Sequence, residues 1–230
     1  MKLIRQIVSV VMLTVALNGM AQAQDWANFK RYEQADSALN ATRNNGRRVV
    51  FMGNSITELW YKMRPEFFND NEFVGRGISG QTSYQMLLRF RDDVINLRPA
   101  AVVINCGTND VAINNHPYVE DRTFGNIVSM AELARANGIV PILSSVLPAA
   151  GFGWRKEVTD APDKIASLNA RIKEYADANC MLYIDYYTPL VYGENRALNP
   201  KYTKDGVHPI PAGYEVMEAT VLPIVRSVVK

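Results

Sequence analysis

Val49-Val50-Phe51-Met52-Gly53-Asn54-Ser55-Ile56-Thr57 is the stretch that decides the fold. Its first four residues are apolar, with β-branched and aromatic side chains among them. That composition belongs to a strand covered on both faces. Gly53 ends the run, and a small polar cluster follows. A buried strand that stops at glycine and presents a serine holds a hydroxyl still at the carboxyl edge of a sheet. Ser55 is therefore the candidate nucleophile.

The same pattern repeats on either side. Apolar runs at 48–52, 72–76, 100–106, 139–146 and 181–186 predict five strands. Helical stripes lie between them. Leu87, Phe90, Val94 and Leu97 mark one, opened by a Thr82/Gln85 capping box. Phe124, Ile127, Val128, Ala131 and Ala134 mark a second, stopped by Asn137-Gly138. Ile165, Leu168, Ile172 and Tyr175 mark a third. Tyr214, Met217, Val221 and Val225 mark the last, with Pro223 expected to kink it. Residues 57–71 predict a short helix and a loop containing Pro65. Trp26, Phe29, Tyr32, Ala35 and Leu39 predict one amphipathic helix over 25–45. Strands alternating with helices imply a parallel sheet with right-handed crossovers. The expected fold class is α/β: one three-layer α/β/α domain. In such sheets the site lies outside the carboxyl ends of the strands. Three polar turns fall there, at 53–57, 77–82 and 107–110.

The first residues read differently. Lys2 and Arg5 precede an apolar run, Ile7 to Leu17, and Ala21-Gln22-Ala23 supplies a small-residue cleavage site. This predicts a signal peptide over 1–23, too short to span a membrane, with one folded domain over 24–230. A periplasmic or secreted location follows, with no stable membrane anchor after cleavage. Removing 23 of the 230 residues leaves 207, enough for one sizeable core. It also removes two of the 25 basic residues against 23 acids, so the formal charge falls from +2 to 0. Nothing in that balance points to nucleic acid or an anionic surface. Cys106 and Cys180 are expected at opposite ends of the sheet, beyond reach of a disulfide, as small buried residues.

A serine hydroxyl needs a base, and a histidine base needs an acid to fix its tautomer. The chain has two histidines. His116 has no carboxylate within three residues on either side. His208 follows Asp205 by three, a spacing that lets one turn aim both side chains together. Ser55, Asp205 and His208 form the compact triad this composition offers. Backbone N–H groups of Ser55 and Gly80, and the side-chain amide of Asn109, are candidate oxyanion donors. A metal site is not expected, since two separated histidines and two separated cysteines have no useful spacing. No cofactor is called for.

These residues fall in four blocks: Gly53-Asn54-Ser55-Ile56-Thr57, Gly77-Ile78-Ser79-Gly80-Gln81-Thr82, Gly107-Thr108-Asn109-Asp110 and Asp205-Gly206-Val207-His208-Pro209. In kind and order they resemble the SGNH, or GDSL, serine hydrolases. The likeness is strongest to bacterial secreted members similar to platelet-activating-factor acetylhydrolase and carbohydrate acetylesterases. The resemblance implies a flavodoxin-like five-stranded sheet of order 2-1-3-4-5 and metal-free ester hydrolysis. It also implies Gly80 and Asn109 as the oxyanion glycine and amide. One residue departs from the pattern: Asn54 stands where the family usually has Asp before the serine.

Two decoys fail. Gly75 to Gly80 fits G-x-G-x-x-G, but the next strand ends Ile104-Asn105-Cys106 with no acid for a ribose. The G-x-S-x-G elbow fails because Thr57 occupies its second glycine. Trp60, Tyr61, Trp154, Tyr186 and Tyr187 are expected in or near loops on the active edge, where aromatics stack on sugars or simply pack. Trp154 is the candidate substrate wall, and Asn54 a second substrate-binding candidate. The expected function is a secreted serine esterase removing a small acyl group, acetyl first, from a carbohydrate ester. The alternatives are a lipase or lysophospholipase with the same residues, and a non-catalytic glycan-binding relative prompted by Asn54.

Overall fold

The structure is a computed structural model and describes residues 25–42 and 44–229. The expected signal peptide lies outside the described residues. In chain order the elements are α1 (Glu33–Ala41), β1 (Val49–Gly53), α2 (Ser55–Met63), α3 (Pro65–Asn69), β2 (Phe73–Gly77), α4 (Ser83–Asp93), β3 (Ala101–Ile104), α5 (Thr108–Val111), α6 (Glu120–Ala136), β4 (Val140–Ser144), α7 (Ala161–Ala178), β5 (Leu182–Ile184), α8 (Tyr187–Leu190), β6 (Val191–Tyr192), β7 (Ala197–Leu198) and α9 (Pro211–Val228).

The main sheet has order β2-β1-β3-β4-β5, with every pairing parallel. Its two faces follow from strand periodicity. Val50, Met52, Val102 and Ile104 face a core built with α4, α6 and α7. Val49, Phe51, Ala101 and Val103 face the opposite core, built with α2, α3 and α9. Both faces are buried, which is why the strands read as continuous apolar runs. β1 lies between β2 and β3, so the chain leaves it in opposite directions along the sheet. The crevice at that reversal is where ligands bind in open α/β sheets.

Several local expectations are corrected. Residues 25–45 do not form a single helix. Asn28 adopts φ 57°, and the Asp25 carboxylate accepts from the N–H groups of Phe29 and Lys30 at 2.9 and 3.2 Å. These bonds favour a short 3₁₀ turn, Phe29–Arg31, ahead of α1, and leave Trp26 and Phe29 exposed. Pro65 opens α3 rather than sitting in a loop, because a first-turn position requires no N–H. Trp60 and Tyr186 belong to the core: Trp60 stacks on Phe67 and Tyr214 at centroid distances of 5.0 and 5.6 Å, and Tyr186 meets it edge-on. Cys180 is exposed, not buried, while Cys106 is buried; both thiols are free.

Candidate active site

The turn after β1 is built to present Ser55. Asn54 caps α2: its Oδ1 accepts from Ile56 N–H at 3.0 Å. Ser55 is thereby the first residue of the helix, and its own N–H has no acceptor among the described residues. Helix starts leave such donors free. α2 is pinned to α9 from the other side. Tyr214 donates its hydroxyl to Ile56 O at 2.9 Å, and Trp60 Nε1 donates to Glu218 Oε1 at 3.1 Å. Arg64 grips the same carboxylate through Nε and Nη2, at 3.0 and 2.9 Å.

α9 is preceded by the loop that brings in the base. His208 Nε2 lies 2.8 Å from Ser55 Oγ, and His208 Nδ1 lies 2.7 Å from Asp205 Oδ2. The other carboxylate oxygen, Oδ1, accepts from the N–H groups of Val207 and His208 at 2.9 and 2.8 Å. Thr203 Oγ accepts from Gly206 N–H at 3.1 Å and donates to His208 O at 2.8 Å, closing the loop. Burial pushes the Asp205 carboxyl up, but the bonds from His208 and Val207 outweigh it and hold the group at about 2. An ionised Asp205 accepts from Nδ1–H, leaving Nε2 to accept from the serine.

The other two polar turns converge here. Gly80 has φ +78°, and a Cβ added there would touch nothing within 4 Å. The position needs glycine for its left-handed conformation, not for room. Its N–H has no acceptor among the described residues. The preceding Ser79 is tied to Glu58, whose Oε2 accepts from Ser79 N–H at 2.8 Å and Ser79 Oγ at 2.5 Å. Asn109, 3% exposed, donates from Nδ2 to Gln81 O at 2.9 Å and accepts at Oδ1 from Asn114 Nδ2 at 2.9 Å. One amide hydrogen of Asn109 remains free. Asp110 beside it is fully buried and accepts from Ser83 N–H at 2.9 Å and Ser83 Oγ at 2.5 Å, docking this turn on α4.

The structure thus brings Ser55, His208 and Asp205 into one hydrogen-bonded series and leaves free donors on Ser55, Gly80 and Asn109. Trp154 is 45% exposed, and its ring lies over His208 at 6.1 Å with a 27° tilt. Asn54 is 1% exposed, and its Oδ1 serves the helix cap. His116 does meet a carboxylate that local spacing could not reveal: Nε2 is 3.8 Å from Asp110 Oδ1. Its ring packs on Tyr84 at 4.1 Å. Glu58 and Asn114 were missed, since Glu58 acts on Ser79, 21 residues away, and Asn114 is set by Trp154, 40 residues away. The dinucleotide decoy also resolves. A Cβ on Gly77 would lie 2.2 Å from Glu58 N, so α2 fills the space a pyrophosphate would need.

Comparison with known proteins agrees with this fold. The sequence pattern of the GDSL-like Lipase/Acylhydrolase family matches residues 51–216. A GDSL-like lipase from Bacteroides thetaiotaomicron is 62% identical, with a TM-score of 0.86, over 87% of this chain and 98% of that one. A Bacteroides fragilis protein assigned as an acylhydrolase is 58% identical, with a TM-score of 0.88, over 90% of this chain and 100% of that one. An acetylxylan esterase from Geobacillus stearothermophilus shares the fold at 19% identity, with a TM-score of 0.61, over 78% of this chain and 94% of that one. The chain spans less than half the length of the curated relatives it matches. The family pattern covers most of the sequence and all four blocks, so the chain belongs to the GDSL-like lipase/acylhydrolase family.

Proposed function

We propose that the protein is an exported serine esterase that removes a small acyl group, acetyl first, from a carbohydrate ester. The observation that carries this reading is the Ser55–His208–Asp205 series at 2.8 and 2.7 Å, set beside donors that no protein group occupies. In the first step His208 Nε2 takes the Ser55 proton as Oγ bonds to the ester carbonyl carbon. The carbonyl oxygen becomes an oxyanion, held by the N–H groups of Ser55 and Gly80 and the free hydrogen of Asn109. Asp205 stabilises the imidazolium. His208 returns its proton to the leaving alcohol, the carbon–oxygen bond breaks, and an acyl-serine remains. Water then repeats the sequence: His208 accepts its proton, hydroxide adds, and Ser55 leaves as the alcohol with the proton restored.

The glycan preference is supported by the openness of the site. The Asp205 side chain is 51% exposed and the Trp154 residue 45%, so the base sits at an accessible rim beside an indole face suited to a sugar ring. The fold shared with an acetylxylan esterase points the same way. The name of the Bacteroides thetaiotaomicron relative favours a second reading, a lipase using the same residues. Both are tested by hydrolysis of aryl esters from acetate to decanoate, and of acetylated xylo-oligosaccharides, with Ser55→Ala as blank. The proposal expects fastest turnover on acetyl substrates and loss of at least about a thousandfold in Ser55→Ala. Preference for long chains would install the lipase reading, and unchanged turnover in Ser55→Ala would sink both.

A further inference from the structure

We infer that Asn114 and Trp154 are positioning residues for the oxyanion amide, forming a directional relay that ends at Asn109. The inference rests on the esterase reading. Trp154 Nε1 donates to Asn114 Oδ1 at 2.9 Å, and Asn114 Nδ2 donates to Asn109 Oδ1 at 2.9 Å. Asn109 Nδ2 gives one hydrogen to Gln81 O at 2.9 Å and has one left. Every donor in the chain points the same way, from the indole toward the free hydrogen of Asn109. Hydrogen bonds aligned in this way polarise one another, so each accepted bond makes the next amide a better donor.

The relay also has a geometric role. Gln81 O and Asn114 Nδ2 together fix both the plane of the Asn109 amide and which end is nitrogen. Asn114 is anchored in turn by its own backbone: its N–H donates to Asn109 O at 3.1 Å, and its carbonyl accepts from Arg155 Nη2 at 3.1 Å. The same Asn114 Nδ2 approaches Gly80 O at 3.5 Å, so one side chain borders two of the three oxyanion donors. At the far end the Trp154 ring covers His208. One exposed loop residue therefore sets its ring over the base and reaches the oxyanion amide through Asn114. Added donor strength acts where negative charge develops, so the relay belongs to kcat more than to KM.

The test is a double-mutant cycle on aryl acetate with Asn114→Ala, Trp154→Phe, Asn109→Ala and each combination with Asn109→Ala. Trp154→Phe removes the N–H while leaving a smaller aromatic ring at the same place, and its exposed site makes it the folded variant if Asn114→Ala does not fold. Asn109→Ala is expected to lower kcat by about 10²–10³. Asn114→Ala should lower kcat about tenfold and Trp154→Phe about threefold, each with KM within about twofold. In the Asn109→Ala background both should have no further effect. Unchanged kcat in both single variants, or losses that multiply with Asn109→Ala, would overturn the relay. Rates of Ser55 labelling by a fluorophosphonate provide a second readout in the same order. Wild-type protein that neither turns over an ester nor labels at Ser55 would overturn the esterase reading and the relay with it. An active wild type with unaffected variants would overturn the relay alone.

Discussion

Replacing Glu58 with Gln should weaken the fold and loosen the oxyanion loop together, by amounts that depend on pH. The carboxylate is a four-donor hub with 12% of its side chain exposed. Oε2 takes Ser79 N–H and Oγ–H, while Oε1 takes Lys62 Nζ at 2.8 Å and Arg31 Nη2 at 3.3 Å. Burial pushes the group up, but the bonds from Lys62, Ser79 and Arg31 prevail and lower it from 4.5 to about 2. At about 1.4 kcal/mol per pH unit that difference is about 3 kcal/mol. Screening at the exposed Lys62 and Arg31 heads brings it nearer 2 kcal/mol. Glutamine keeps one acceptor oxygen and aims NH₂ at one pair of donors, so it satisfies Ser79 or the cations but not both. Because the folded value is depressed, the stabilisation is complete above the unfolded value near 4.5 and is lost as pH falls toward 2. Denaturant unfolding should therefore separate Glu58→Gln from wild type by about 2 kcal/mol at pH 7 and by less than about half of that at pH 3. With Ser79 less constrained, the Gly80 N–H is less well placed, and kcat on aryl acetate at pH 7 should fall about tenfold with little change in KM. A stability gap that is equal at pH 7 and pH 3 would refute the carboxylate argument. A gap of the expected size with unaltered kcat would refute the link to Gly80.

Three further outcomes follow from the same geometry. Gly77→Ala places a Cβ 2.2 Å from Glu58 N and 2.6 Å from Asn54 O, both backbone atoms, so it should destabilise by more than about 3 kcal/mol; a melting temperature within about 2 °C of wild type would contradict this. Asp205→Asn keeps the shape of the loop but removes the acceptor that selects the His208 tautomer, and kcat measured on aryl acetate should drop about 10⁴-fold. Native protein treated with a thiol reagent should label quickly at the exposed Cys180 and not at Cys106, whose thiol burial pushes up, and both should label once unfolded; peptide mapping distinguishes them.

The layered fold was legible because β1 and β3 are buried on both faces and carry unbroken apolar runs. The hydrogen-bonded series was legible because Asp205 and His208 sit on one turn, and because each of the other polar turns directly follows a strand. What escaped reading is tertiary. Glu58 is 21 residues from Ser79, and nothing local in either segment points to the other. Asn114 resembles any loop asparagine until the 151–155 loop sets Trp154 against it. Trp60 lies just beyond a polar turn, yet its helix rotates it into the aromatic cluster under β1. The β6–β7 hairpin has two residues per strand, too few for an alternating pattern to register. The N-terminal error came from treating periodicity as sufficient, when the Asp25 carboxylate offers the backbone a competing set of hydrogen bonds.

Asn54 is the residue at which this chain leaves the family pattern, and the geometry gives it a structural role. The position is an N-cap, and what a cap supplies is one side-chain oxygen for an N–H of the first turn; asparagine and aspartate serve almost equally well. Asn54 Oδ1 does this for Ile56, while its backbone carbonyl accepts from Glu58 N–H at 3.0 Å and carries the chain into α2. At 1% exposure a carboxylate here would bear the desolvation penalty of a buried charge, and the amide avoids it. The charge that the proposed reaction needs is held by Asp205, on the opposite side of the His208 ring, where three donors and an open rim keep it ionised. Substitution at Asn54 therefore alters how Ser55 is held, not which groups move the proton.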